Sequence, residues 1–148
     1  MNAPLISRRP RAGCFSTPIF PAQANHYGTL FAGDALSLMC RAAVLAAAEE
    51  AGGDVVMAAS SGIAFKAPVR VGQVLHLSAR IVRSGRTSLT VSVEGTAGDL
   101  GRQEAVPVLE GLFQMVAVDA GGRPHPFAQA TDRGDQSPMS HRNSLEQG

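Results

Sequence analysis

Few side chains in this sequence can do chemistry, and they are scattered. Asn25 and His26 precede Gly28 and Gly33, Asp34 and Cys40 follow, and Gly85-Arg86-Thr87-Ser88 stand together much further on. Gly33 at the start of a helix would let a reacting group approach free N–H groups and the positive end of the helix dipole, which suits a developing oxyanion. The same glycine also serves simply to turn the chain tightly. Asp34, in a first helical turn, is favoured by that dipole with or without a chemical role. Cys40 brings a thiol. In an apolar helix core its pKa rises and it packs as a small hydrophobe, and no histidine is assured beside it to make it a nucleophile. Arg86 with the Thr87 and Ser88 hydroxyls suits a phosphate, although the same residues make an ordinary hairpin turn. His26 reads as a loop residue and His76 as the polar face of a strand.

Other chemistries fail on spacing. Gly28 to Gly33 has the Gly-x4-Gly spacing of a phosphate loop, but Asp34 stands where lysine is required. No Gly-x-Ser-x-Gly elbow is present, and no His, Cys and Asp cluster has zinc spacing. The two cysteines, Cys14 and Cys40, form neither a metal pattern nor a disulfide framework, as expected in a reducing compartment. Net charge is +1, which gives no electrostatic case for nucleic acid or an anionic membrane. No apolar run follows the early arginines as in a signal peptide, and none is long enough to cross a bilayer. A soluble, cytoplasmic protein is expected.

The elements that must position these residues follow from periodicity. The 148 residues suit one domain. Residues 1–13, with two prolines and three arginines, predict a flexible arm; residues 127–148, rich in Asp, Gln and Ser, predict a disordered tail. The domain is then 14–126. Gly33-Asp34 opens a run from Ala35 to Ala48, rich in Ala, Leu and Met, which ends at Glu49-Glu50 before Gly52-Gly53. Arg41 is its only charge between Asp34 and Glu49, so the helix is apolar on nearly every side and needs a wrapper. Strands supply it. Val55 to Ala59 and Ser61 to Val69 are extended. Val74 to Arg83 places Leu75, Leu77, Ala79 and Ile81 on one face, and Thr87 to Glu94 places Leu89, Val91 and Val93 on one face. Val106 to Val118 closes the set, with Pro107 near its start. One long helix against an antiparallel sheet is an α+β layer architecture.

Four segments, in order, resemble the hotdog acyl-CoA thioesterases, in particular their cytosolic acyl-CoA hydrolase branch. They are Asn25-His26-Tyr27-Gly28-Thr29-Leu30-Phe31-Ala32-Gly33, the Phe65 to Gly72 stretch with Pro68-Val69, the Val82 to Ser88 turn, and Met115 to Pro124. The resemblance covers about Thr17 to Pro126. It implies a curved sheet wrapped around the helix, and pairing of two domains edge to edge with acyl-CoA sites at the interface. Such dimers commonly assemble as trimers of dimers. It further implies hydrolysis of an acyl-CoA to free acid and CoA without a cofactor. Asn25 and the Gly33 region would hold the carbonyl, and Gly85, Arg86, Thr87 and Ser88 would hold CoA. The family's catalytic carboxylate lies seven residues after the glycine matched by Gly33, and that position is Cys40. Asp34 is the outside candidate for the missing base. The alternative expectation is an acyl-CoA-binding hotdog domain that kept the pocket and lost its base. A hydratase would need an Asp/His pair that is not visible.

Overall fold

The computed structural model describes residues 11–128. Residues 1–10 and 129–148, most of the expected arm and tail, lie outside the described residues. The elements are β1 (Phe15–Pro18), a 3-10 turn (Pro21–Gln23), α1 (Ala32–Ala51), β2 (Val55–Phe65), β3 (Gln73–Ser84), β4 (Ser88–Asp99) and β5 (Val106–Ala117). The strands form one sheet in the order β1-β3-β4-β5-β2, with every neighbouring pair antiparallel.

The helix forms where the sequence predicts it and runs further at both ends. Its last turn closes on Gly52 in the left-handed conformation, whose N–H bonds the Ala48 carbonyl at 2.8 Å. The face carrying Ala35, Leu38, Met39, Ala42, Ala43, Ala46 and Ala47 is buried. It packs on inward residues of the sheet, among them Leu75, Leu77, Val91, Val93, Phe113 and Met115. Each large side chain so buried contributes roughly 1.5–3 kcal/mol. Small residues on the helix permit close approach.

The sheet covers only one side of α1 within a single chain. Val44 and Leu45 remain 37% and 49% exposed, so a helix apolar on nearly every side leaves an uncovered apolar face. β2 is a single strand, not two, with register irregularities between Met57 and Ala59 and between Ser61 and Ala64 that break its periodicity. β4 continues past Glu94 because Gly95 faces inward against Leu109 and Leu77, where a Cβ would lie 2.6 Å from Leu109 Cδ1. β1 is new, and its four residues are too few to show a period.

Both expected domain ends shift. Phe127, placed at the start of the tail, packs against the core. Gly13, placed in the arm, is buried, and its carbonyl accepts the Ala79 N–H at 3.1 Å while the Ala12 N–H bonds Glu49 Oε2 at 3.1 Å. Local composition could not reveal this docking, because the partners lie on α1 and β3. Gly13 has φ of 84°, and a Cβ there would lie 2.6 Å from the Ala42 carbonyl oxygen. Gly13→Ala is therefore expected to lose ~2–4 kcal/mol of stability from overpacking and left-handed backbone combined. Denaturant unfolding checks this, and an unchanged midpoint would mean that the segment is not docked in solution.

Candidate active site

The loop before α1 is built around Asn25. Its backbone N–H bonds the Thr29 carbonyl at 2.8 Å, and its own carbonyl accepts the Gly28 N–H at 3.0 Å. Gly28 takes φ of 77°, which closes the turn where a side chain would be strained. Asn25 Oδ1 accepts three hydrogen bonds, from the Tyr27 N–H at 2.9 Å and from the Thr29 N–H and Oγ1, both at 3.2 Å. Three donors on one oxygen fix the orientation of the amide. The Nδ2 group is thus the end left to donate elsewhere. The loop is tied down by Leu30 N–H to the Val69 carbonyl at 2.7 Å and Phe31 N–H to the Gln23 carbonyl at 2.8 Å.

Asn25 lines a cleft of about 380 Å³ together with Leu30, Ala32 and Ala35 on one side and Phe65 to Val69, Val108 and Leu109 on the other. Its walls are mostly apolar, and at its edge Lys66 pairs with Glu110 at 3.1 Å, both about half exposed. The first turn of α1 forms one end. Phe31 is the N-cap residue and supplies no side-chain oxygen, so no side-chain cap occupies the N–H groups of Ala32, Gly33 and Asp34. The Phe31 ring lies over Gly33, where a Cβ would come 2.7 Å from Cε1. Phe31 is 53% exposed and its ring can shift, so packing alone does not demand glycine at position 33. Asp34 is half-buried in the first turn and does not line the cleft.

Cys40 does not join Asn25. It lies eight residues beyond Ala32, roughly 12 Å along the helix, in a separate shallow depression of about 480 Å³ with Ser37, Arg41, Val44 and Leu45. Burial pushes its thiol pKa up. The Gly85–Ser88 turn is farther still. Its Gly85 N–H bonds the Ser88 carbonyl at 2.7 Å, and the Thr87 carbonyl accepts the Ala117 N–H at 2.8 Å. Ser88 pairs with Val116, and Val116 with Val56; at the cleft end Gly95 pairs with Leu109, and Leu109 with Phe65. Seven residues of β5 separate these rows, roughly 23 Å. Asn25 with the helix start, Cys40, and the turn thus occupy three places in one chain. Thr29, whose hydroxyl fixes the Asn25 amide, was missed as a site residue; only its place in the Asn-x-x-Gly-Thr segment signals it.

Among the described residues no group of three or more His, Cys, Asp or Glu could hold a metal ion, and no helix is long and apolar enough to cross a membrane.

Residues 27–103 match the thioesterase superfamily. An uncharacterized acyl-CoA thioester hydrolase of Zymomonas mobilis is 41% identical over 104 residues, 70% of each chain. The acyl-CoA thioester hydrolase YciA of Salmonella typhimurium is 34% identical over 114 residues, 75% of this chain and 86% of that one. Among solved structures, the hexameric thioesterase of Yersinia pestis superposes with a TM-score of 0.75 at 30% identity, covering 82% of this chain and 99% of that one. An antiparallel sheet carrying one long helix is the hotdog arrangement of these proteins, and the chain belongs to the thioesterase superfamily in its acyl-CoA thioester hydrolase branch.

Proposed function

We propose that this protein hydrolyses an acyl-CoA thioester to the free acid and CoA, as a cytoplasmic homo-oligomer of at least two chains and without a cofactor. The observation that carries the reading is the Asn25 amide. Its oxygen is saturated and its Nδ2 group is left to donate at an apolar cleft beside an uncapped helix start. Water adds to the thioester carbonyl, and negative charge grows on the carbonyl oxygen. The Asn25 Nδ2–H and the N–H groups around Gly33 are suited to stabilise that charge. The attacking water gives up a proton, the tetrahedral intermediate collapses, the C–S bond breaks, and the departing CoA sulfur takes up a proton in exchange, so that the free acid and the CoA thiol are formed.

The residues this chemistry needs are separated in one chain, and a second copy would reunite them. β2 is an 11-residue edge strand without a charged residue, and its outer edge pairs with nothing among the described residues. Natural edge strands are usually blunted by charge or proline. A two-fold axis pairing β2 with β2 antiparallel would bring the turn end of one sheet beside the cleft end of the other. The partner's Gly85–Ser88 turn would then be available to the CoA portion. The hexameric state of the Yersinia pestis relative supports a trimer of such dimers.

Thiol release from a chain-length series of acyl-CoAs tests the activity. Sedimentation is expected to give a dimer or larger at micromolar concentration; a stable monomer with full activity would count against the shared site. One observation favours a second reading. Burial raises the Cys40 pKa above that of an ordinary thiol, which is already protonated at neutral pH, so the side chain is a poor base at the position of the family carboxylate. A domain that binds acyl-CoA without turnover is that reading, and tight CoA binding with no thiol release would select it.

A further inference from the structure

We propose that Arg41 recognises a free carboxylate at the far end of the acyl chain, so that the preferred substrates are ω-carboxyacyl-CoA thioesters, the monothioesters of dicarboxylic acids. This rests on the acyl-CoA reading above, with its paired chains, and adds to it the class of acyl group.

Arg41 stands alone on an apolar surface. From Ala35 to Ala48, α1 is aliphatic apart from Ser37, Cys40 and Arg41. At 100° per residue, Arg41, Val44 and Leu45 share the helix face turned away from the sheet. With Ser37 and Cys40 they line one depression of about 480 Å³. The exposed Val44 and Leu45 offer an apolar bed for methylene groups, and the Arg41 guanidinium stands beside that bed. An apolar bed with a single cation is the complement of an aliphatic chain with a single anion. The planar guanidinium fork takes both oxygens of a carboxylate. A neutral chain would lay a methyl group against the charge and leave it desolvated and unpaired.

The acids of α1 do not reach Arg41. Asp34 lies seven residues back, roughly 10 Å along the axis. Glu49 lies eight residues on, roughly 12 Å along the axis, and accepts the Ala12 N–H at 3.1 Å. Glu50, nine residues on, is turned to the opposite side of the helix, beside Ala79 and Ile81. Arg41 makes no ion pair within 4.0 Å with a described residue. Burial raises the Cys40 pKa, so the adjacent thiol offers no anion either. A guanidinium cannot shed its proton. Once a second chain covers this face, the charge must meet an anion or lie desolvated at high cost. β2, the strand that the proposed two-fold brings in, has no charged residue and supplies no counter-ion. A carboxylate on the acyl chain supplies one.

The test uses hexanoyl-CoA and adipoyl-CoA, which match in carbon count and differ by a terminal carboxylate. The parent is compared with Arg41→Gln, Arg41→Lys and, as an exposed arginine elsewhere, Arg102→Gln. Two quantities are read: kcat/KM for each thioester, and calorimetric affinity for each thioester and for free CoA. The parent is expected to favour adipoyl-CoA by about tenfold, and Arg41→Gln to remove that preference. Arg41→Lys keeps the charge and is expected to retain part of the preference, and Arg102→Gln to match the parent. A parent that handles hexanoyl-CoA as well as adipoyl-CoA, or an Arg41→Gln variant that keeps the adipoyl preference, overturns the inference and leaves the thioesterase reading standing. An equal loss of affinity for free CoA would place Arg41 on CoA, and dissociation of Arg41→Gln in sedimentation would place it against an acid of the partner chain; either overturns the acyl role. A parent that binds neither thioester and releases no thiol overturns the inference together with the acyl-CoA reading.

Discussion

Replacing Cys40 by aspartate is expected to raise acyl-CoA turnover by about 10²–10⁴-fold, the usual worth of a positioned general base. This is taken as the position of the family carboxylate, on the resemblance and its spacing of seven residues from Gly33. An ordinary thiol is already mostly protonated at neutral pH, and burial raises the Cys40 pKa further. An aspartate starts from an ordinary pKa of ~3.9; burial at this position raises it and the Arg41 charge opposes the rise, so it stays mostly ionised at neutral pH where the thiol does not. The variant's rate should be flat across neutral pH and fall on the acid side. A reaction driven by the native Cys40 thiolate would instead climb with pH beyond the usual thiol range. The substitution has a cost, because Val44 and Leu45 flank the position and an unsolvated carboxylate there loses a few kcal/mol. Arg41 in the same depression offsets part of that cost. A folded variant with no gain in thiol release would show that Cys40 only packs. A fast parent left fast by Cys40→Ala would move the base elsewhere, and Asp34→Asn is then the variant to measure.

α1, β3 and the first half of β4 are strongly periodic, and each packs an apolar face on its neighbours, so their patterns carry the fold. β1 is too short to carry a period, and β2 loses its period to two irregularities. The expected strand ends at Glu94, whereas Gly95 continues it in close contact with Leu109 and Leu77. The apolar surface of α1 was legible, but not that one chain covers only part of it, because the remainder has no partner within the chain. In the site, the order of motifs pointed to Asn25 and the helix start. It could not tell that the Gly85–Ser88 turn lies roughly 23 Å from the cleft end, since that separation is a property of strand register.

Asn25→Asp is expected to lower kcat by about 10²–10³-fold, the cost of losing one oxyanion donor, while leaving the fold close to intact. The two halves of the asparagine amide do different work. Oδ1 holds the loop through Tyr27 and Thr29, and aspartate retains an acceptor in that position. Nδ2 is the donor, and aspartate removes it and adds negative charge where the carbonyl oxygen becomes negative. Asn25→Ala removes both functions, so it should lose activity and also ~1–2 kcal/mol of stability from unmade hydrogen bonds. Comparing the two variants separates chemistry from structure. A large fall in kcat with an unchanged melting temperature in Asn25→Asp assigns the amide to the transition state. If both variants lose stability and activity in parallel, Asn25 acts by shaping the loop. If Asn25→Asp turns over at the parental rate, the donor is not used, and the N–H groups around Gly33 must carry the oxyanion unaided.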